Sequence, residues 1–248
     1  MLYIILPVYN EEPNLNDLLK GLKQISESAP LYVIPVDDGS CDSSLSILTN
    51  WRGLLPMKII RHTRNRGLGR ALRSGIQTIA PNLKEEDVVV TMDADGSHPP
   101  ETINKLVHGI SDGFDIVIAS RFVPGGLQTE VPLFRKILSR IVSVTTRICT
   151  GIRIRDITSG FRAYSGRVLL SGLDKWGDEL LTEDGFVATP ELLLKLYQLT
   201  AYTKEIPFHL HYERKKSKSK MRVFHEGVRY LCFLVRYCFM VGLVGSPS

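Results

Sequence analysis

Short apolar runs alternate with stretches of helical periodicity through the first half of the chain. Residues 2–6, 31–36, 57–61, 88–92 and 115–119 are apolar runs of strand length. Between them, residues 14–25, 43–51, 69–79 and 100–110 repeat apolar side chains at helical spacing, as in Leu15, Leu18, Leu19, Leu22 and Ile25. This alternation predicts an α/β fold with a mostly parallel, Rossmann-like sheet flanked by helices. The second half reads differently. Residues 132–150 form a long helical pattern in which Arg135, Lys136, Arg140 and Arg147 interleave with apolar positions, residues 190–197 a further helix, and residues 205–212 alternate like a strand. A basic run, Arg214 to Arg222, leads into an amphipathic helical pattern over 221–244. Its apolar part is shorter than the roughly 20 residues a bilayer span needs, and it contains Arg236. Two placements stay open for it: at a membrane interface, or docked on the protein's own core.

In open α/β sheets ligands bind beyond the carboxyl ends of the strands, so the residues there matter most. The first strand delivers Pro7-Val8-Tyr9-Asn10-Glu11, the second Asp37-Asp38-Gly39-Ser40, the third Arg64-Asn65-Arg66-Gly67-Leu68-Gly69-Arg70, and the fourth Asp93-Ala94-Asp95. Two carboxylates at i and i+2 of a strand end lean over the same spot. Such hard oxygen ligands suit Mg²⁺ or Mn²⁺, ions that usually also hold phosphate oxygens. Arg66 and Arg70 flank a predicted helix N-terminus, where anions are favoured. Together the four strand ends point to a nucleotide-type ligand. Gly67-Leu68-Gly69 is not a dinucleotide fingerprint, because Leu72 stands where the third glycine belongs, and no P-loop motif occurs.

Composition narrows the partners. The chain has 248 residues, 44% hydrophobic and 23% charged, enough for one large domain with appendages. The formal net charge of +5 favours an anionic partner. Nucleic acid is not expected, because the basic run has no interleaved aromatic side chains. None of Cys41, Cys149, Cys232 and Cys238 forms a C-x-x-C pair, and Pro7 cuts the first apolar run too short for a signal peptide. A cytoplasmic protein, peripheral at the cytosolic face of a membrane, is the expectation.

The motifs, in this order, resemble the family 2 glycosyltransferases of the GT-A fold, and more closely the branch of dolichyl-phosphate mannose synthases and bacterial polyprenyl-phosphate glycosyltransferases. The carrying residues are Pro7-Val8-Tyr9-Asn10-Glu11-Glu12, Val36-Asp37-Asp38-Gly39-Ser40 and Asn65-Arg66-Gly67-Leu68-Gly69. They continue with Met92-Asp93-Ala94-Asp95-Gly96-Ser97-His98-Pro99-Pro100-Glu101, Ala119-Ser120-Arg121-Phe122 and Asp156-Ile157-Thr158-Ser159-Gly160-Phe161. The resemblance implies a GT-A domain over 1–212, with a nucleotide-sugar half (1–125) and an acceptor half (126–212), followed by a basic segment and amphipathic helix over 213–248. It implies that Pro7, Tyr9, Asn10, Glu11 and Asp38 hold the base and ribose of a nucleotide diphospho-sugar, a GDP- or UDP-hexose. Asp93 and Asp95 would bind Mg²⁺ or Mn²⁺, with Asp95 the direct ligand. Arg121 and Arg135 would face the acceptor phosphate or the leaving diphosphate. Arg66, Ser159, Glu191, Arg214, Lys216 and Lys220 would complete the binding site, Ser159 and Glu191 near the sugar.

Three positions depart from the branch. Ser97 replaces a glutamine, Arg162 replaces a phenylalanine after Ser159-Gly160-Phe161, and the basic segment lacks its usual glycine. Serine is the poorer metal ligand, so weak metal binding in the absence of nucleotide is expected. The implied reaction is inverting transfer of a hexose, mannose or glucose, to a polyprenyl monophosphate. The alternatives are transfer to a glycan hydroxyl, for which Asp184 in Thr182-Glu183-Asp184 would be the base, and a non-catalytic module that binds nucleotide sugar or lipid.

Overall fold

The structure is a computed structural model that describes residues 1–217 and 223–244. Its centre is a sheet in the order β3-β2-β1-β4-β7-β5-β8. The strands are β1 (Leu2–Val8), β2 (Leu31–Asp37), β3 (Ile60–Arg61), β4 (Val88–Thr91), β5 (Ile116–Ser120), β7 (Arg162–Ser165) and β8 (Thr203–Pro207). All neighbours run parallel except β7, which is antiparallel to both β4 and β5. A separate parallel pair joins β6 (Leu127–Thr129) to β9 (His209–His211). The helices are α1 (Glu12–Ser26), α2 (Ser44–Trp51), α3 (Leu68–Ile79), α4 (Thr102–Ser111), α5 (Leu133–Thr150), α6 (Gly166–Trp176), α7 (Ala188–Tyr197) and α8 (Val223–Val244).

The near-continuous apolar strands are buried on both faces, as helices on either side of a parallel sheet require. Alternation along β1 sends Ile4 and Leu6 to a core shared with α1, α2 and α4, and Ile5 to a core shared with α3, α6, α7 and α8. Register sets the strand ends level. β1 pairs with β2 from Leu2↔Leu31 to Val8↔Asp37, and with β4 from Leu2↔Val88 to Ile5↔Thr91. The loops after β1, β2 and β4 therefore open on one edge.

The α/β expectation holds, with local corrections. The strand expected over 57–61 is reduced to Ile60–Arg61 plus a single bridge, Val33↔Met57. On the β2 side, Val33 and Asp37 bond to this edge, but Pro35 between them has no N–H to give. Another proline splits the strand expected over 205–212. After Pro207 the chain leaves the main sheet, and Phe208 N–H donates to Ser120 O while β9 turns to β6. β6, β7 and α6 are additions that the hydrophobic pattern does not announce. Only α6 carries a start signal, Ser165, whose hydroxyl caps Val168 N–H.

The C-terminal helix is docked. Tyr230, Phe233, Leu234 and Tyr237 of α8 are buried. Tyr237 Oη donates to Leu194 O at 3.0 Å, and Tyr230 hydrogen-bonds Thr146 of α5. Arg229 and Arg236 both reach Glu183, at 3.1 and 2.6 Å. The opposite face keeps Val228, Leu231 and Val235 exposed. Among the described residues no helix is long and apolar enough to cross a membrane.

Candidate active site

Loop chemistry fixes each corner of the site. After β1, Asn10 takes φ 51°, a left-handed conformation that asparagine tolerates. Its N–H donates to Ser40 Oγ at 3.0 Å, and its Oδ1 accepts from Cys41 N–H at 2.8 Å, tying the loops after β1 and β2. Glu11 is buried, accepts from Asn14 Nδ2 at 2.7 Å and opens α1. Tyr9 is half-buried beside them.

Asp38 stands behind the loop and not open in the cleft. Its Oδ1 lies 2.6 Å from His62 Nδ1 and accepts from Arg66 N–H at 2.9 Å, and its Oδ2 accepts from Gly67 N–H at 2.8 Å. It thus holds the turn that starts α3, whose Arg66 side chain is exposed. The neighbouring Asp37 is the unexpected carboxylate: its Oδ1 accepts from Ser40 N–H, while its buried Oδ2 has no partner among the described residues.

Asp93 and Asp95 follow β4 and differ sharply. Asp93 is 43% exposed, with Oδ2 3.7 Å from His98 Nε2. Its backbone N–H donates to His98 Nδ1 at 3.0 Å, which assigns the ring proton to Nε2, facing the carboxylate. His98 is fixed by stacking on Phe161, with ring centroids 4.8 Å apart. Asp95 is buried with both oxygens in use. Oδ1 accepts from Ser97 N–H (3.0 Å) and Ser97 Oγ (2.6 Å), and Oδ2 receives Lys215 Nζ at 2.5 Å. Burial works to raise the Asp95 pKa, but Lys215 and His98, with the hydrogen bonds from Lys215 and Ser97, outweigh it and bring it to about 2. At Asp93 burial prevails; His98 opposes it, the charge of Asp95 adds to it, and the carboxyl is held above its ordinary range.

The donor set fits a hard divalent cation. Two carboxylates converge at one strand end beside the Ser97 hydroxyl. No group of three or more His, Cys, Asp or Glu among the described residues could hold a metal alone. An ion here would draw its remaining oxygens from a bound diphosphate and water, the usual habit of Mg²⁺.

Gly160 closes the other wall. A Cβ at this position would lie 3.5 Å from Asp93 Oδ1, and Thr91 Oγ1 donates to Gly160 O at 2.8 Å. Pro7, Leu68, Asp93, Gly160, Arg162 and Thr189 line one small cleft. Ser159, before it, is buried. Arg162 is fully buried and donates to Ile157 O and Thr189 O, both at 2.6 Å.

Several cations are already engaged. Arg121 forks onto Asp156, Nε to Oδ2 at 2.8 Å and Nη2 to Oδ1 at 2.6 Å, and also donates to Thr158 Oγ1. Burial would lower the Arg121 pKa, but the Asp156 charge raises it. Arg135 lies 5.9 Å over the Tyr212 ring, and Lys215 Nζ lies 6.0 Å from the same ring. Arg214 is exposed, and Lys216 bonds Asp17 at 3.1 Å. Lys220 lies outside the described residues. Glu191 is buried away from the cleft, accepting from Thr182 N–H, Thr182 Oγ1, Glu183 N–H and Lys195 Nζ. Asp184 is paired with Arg70.

This Thr182–Asp184 loop packs tightly on α3. Gly69 N–H donates to Asp184 O at 2.8 Å, and a Cβ on Gly69 would run into Glu183 O. Gly69→Ala is therefore expected to cost about 1–3 kcal/mol, read as a lower urea midpoint.

Two residues of consequence escaped the sequence argument. Asp156 sits within a quoted motif without a marked role. Lys215 differs in no sequence signal from Lys216 beside it, and its partner is 120 residues away.

The profile described as "Glycosyl transferase family 2" matches residues 3–171. A dolichol-phosphate mannosyltransferase of Pyrococcus furiosus is 33% identical over 240 residues, covering 94% of this chain and 63% of that protein. A polyprenol monophosphomannose synthase of Mycolicibacterium smegmatis is 36% identical, covering 70% and 66%. This chain thus spans less than two thirds of the length of either relative. An undecaprenyl-phosphate mannosyltransferase of Micrococcus luteus is 32% identical, covering 88% and 86%. Among solved structures, glucosyl-3-phosphoglycerate synthase from Mycobacterium tuberculosis, in complex with Mn²⁺, UDP-glucose and phosphoglyceric acid, superposes with a TM-score of 0.69 at 17% identity, covering 96% of this chain and 79% of that one.

Proposed function

From the premise that this chain belongs to glycosyl transferase family 2 and is a glycosyltransferase of the GT-A fold, we propose that it moves a hexose, mannose or glucose, from a GDP- or UDP-sugar to a polyprenyl monophosphate, with inversion. The observation that carries this reading is the meeting of Asp93 and Asp95 with a basic segment, Lys215 touching Asp95 directly. Asp93 and Asp95 would hold Mg²⁺ or Mn²⁺, with Ser97 orienting Asp95. When bound, that ion supplies Lewis acidity and neutralises charge on the departing diphosphate. Pro7, Tyr9, Asn10 and Glu11 form the wall assigned to base and ribose, and Asp38 shapes it by holding Arg66 and Gly67 in place. Ser159 lies beside Gly160 on the sugar side. Arg121 faces the leaving group only as far as Asp156 allows, and Glu191 acts through the loop it holds.

An acceptor phosphate is mostly ionised at neutral pH, with a second pKa of about 6. It needs cations to position it and no strong base. Arg135, Arg214, Lys215 and Lys216 stand on that side, with Lys220 further along the chain. A glycan hydroxyl would need a carboxylate base, and Asp184 is tied to Arg70.

A lipid acceptor also suits the surface. α5 turns Leu133, Phe134, Ile137, Ile141 and Ile148 outward, with Lys136, Arg140 and Arg147 on the same helix. Such a face fits the headgroup region of an anionic bilayer, as expected of a peripheral protein at the cytosolic face. The test is transfer of radiolabel from GDP-mannose, UDP-glucose and related donors to a polyprenyl phosphate or to an oligosaccharide. Label is expected in the organic phase with the lipid, and its appearance only in the oligosaccharide would overturn the reading.

A further inference from the structure

Lys215 occupies a place that the proposed chemistry assigns to a metal. Its Nζ lies 2.5 Å from Asp95 Oδ2, with only 13% and 12% of the two side chains exposed. Ser97 N–H and Oγ donate to the other oxygen of Asp95, so both of its oxygens already accept hydrogen bonds. Asp93, two residues earlier, is partly enclosed and keeps 43% of its side chain exposed. A divalent ion held by this pair would draw on an oxygen of Asp95. An ammonium group already in contact with that oxygen competes with the ion, because the two cations repel.

Lys215 rides on a segment laid across the metal loop. His211 N–H donates to Ser97 O at 3.2 Å, and Arg214 O packs against Gly96, whose added Cβ would meet it at 3.4 Å. Lys216 N–H donates to Asn14 Oδ1 at 3.2 Å, and Lys216 Nζ pairs with Asp17 Oδ2 at 3.1 Å. The last contact is an exposed ion pair, of a kind that yields at little cost. A lysine has a flexible stem and a strongly hydrated head, so it can withdraw into water. Lys215 Nζ and Arg135 share the Tyr212 ring, at 6.0 and 5.9 Å from its centroid.

We infer that Lys215 is the counter-cation of Asp95 before donor binds, exchanged for the divalent ion when donor binds. Resting on the reading of Asp95 as a metal ligand, this adds a specific role to one lysine of the basic segment. Before metal binds, Lys215 balances the charge of Asp95 and keeps the strap over the loop. When the metal arrives with its diphosphate, the ammonium leaves Asp95 and joins the cations available to phosphate. Nucleotide brings the negative charge that makes the exchange favourable, so metal without nucleotide competes poorly.

Mn²⁺ binding to the full chain, followed by electron paramagnetic resonance of free Mn²⁺, tests this without turnover. Lys215→Met is expected to raise the Mn²⁺ affinity of the nucleotide-free protein about tenfold, as loss of one competing contact would, and to shrink the gain given by added GDP or UDP. Lys215→Arg, which keeps the charge, is expected to retain weak binding. A thermal melt shows whether each variant is folded. A second readout uses the wild-type protein: acylation of Lys215 by an amine reagent, followed by peptide mass spectrometry, is expected to rise several-fold in saturating Mn²⁺ alone. Equal nucleotide-free affinity in wild type and Lys215→Met, or Lys215 labelling indifferent to Mn²⁺, overturns the inference. Asp95→Asn separates the two levels: if it binds Mn²⁺ with nucleotide as well as wild type does, the metal-ligand reading itself fails.

Discussion

Asp95→Asn is expected to lower the rate of sugar transfer about 10³-fold or more while leaving the protein folded. The magnitude follows from the charge that develops on the departing diphosphate. Removing one preorganised electrostatic stabiliser typically costs about 10²–10³ in kcat, and here the substitution also removes the better of two ligands for a Lewis acid. The fold should survive because the partner left behind is Lys215, on a segment at the surface of the site. A stranded lysine can carry its ammonium to water, unlike a stranded arginine in the core. Asp93→Asn should be milder in stability, since Asp93 makes only a 3.7 Å contact with His98, yet also strongly inactivating. Full activity in Asp95→Asn would remove the metal argument. Loss of activity accompanied by a collapsed thermal melt would instead make Asp95 a structural residue.

The strand ends were legible in the sequence because their pattern is local. An apolar run followed by Asp-x-Asp or Asp-Asp-Gly-Ser declares both the strand and its polar terminus, and register in a parallel sheet then brings those termini level. What each carboxylate does was not legible. Asp37 and Asp38 are adjacent, yet Asp38 is consumed by His62, Arg66 and Gly67 while Asp37 keeps a buried oxygen with no partner among the described residues. Those partners are brought in by tertiary packing, with no trace at i±4. Glu191 shows the same limit: its place at a helix start was visible, but not that its oxygens would turn inward to Thr182 and Glu183. β7 was hidden because a four-residue strand entering a parallel sheet backwards has too few positions to show a period. The two open placements of the tail depended on contacts between α8, α5 and Glu183, which join residues up to 89 positions apart.

Asp156→Asn is expected to destabilise the protein by about 3–5 kcal/mol at pH 7, the range found when one partner of a buried ion pair is removed. Asp156 is fully buried. Besides the fork to Arg121, it accepts from Ser159 N–H at 3.1 Å and from Arg121 N–H at 2.9 Å. One carboxylate thus ties the end of β5 to the turn that carries Ser159 and Gly160 into the cleft. Asparagine keeps one acceptor but leaves the Arg121 guanidinium without its paired counter-charge, at 13% exposure. The effect should fade in acid, and the sign is fixed by the direction of the shift. Burial alone would raise the Asp156 pKa, but the Arg121 charge and hydrogen bonds outweigh it, and the carboxyl sits below its ordinary value. A group depressed in the folded state stabilises above its unfolded pKa, about 3.9, and loses that contribution as pH falls through the folded value. Urea unfolding of wild type and Asp156→Asn should therefore show a wide, constant gap from neutrality down to about pH 5, narrowing below pH 4. A gap that persists unchanged into strong acid would mean that packing, and not the charge pair, holds this corner of the site.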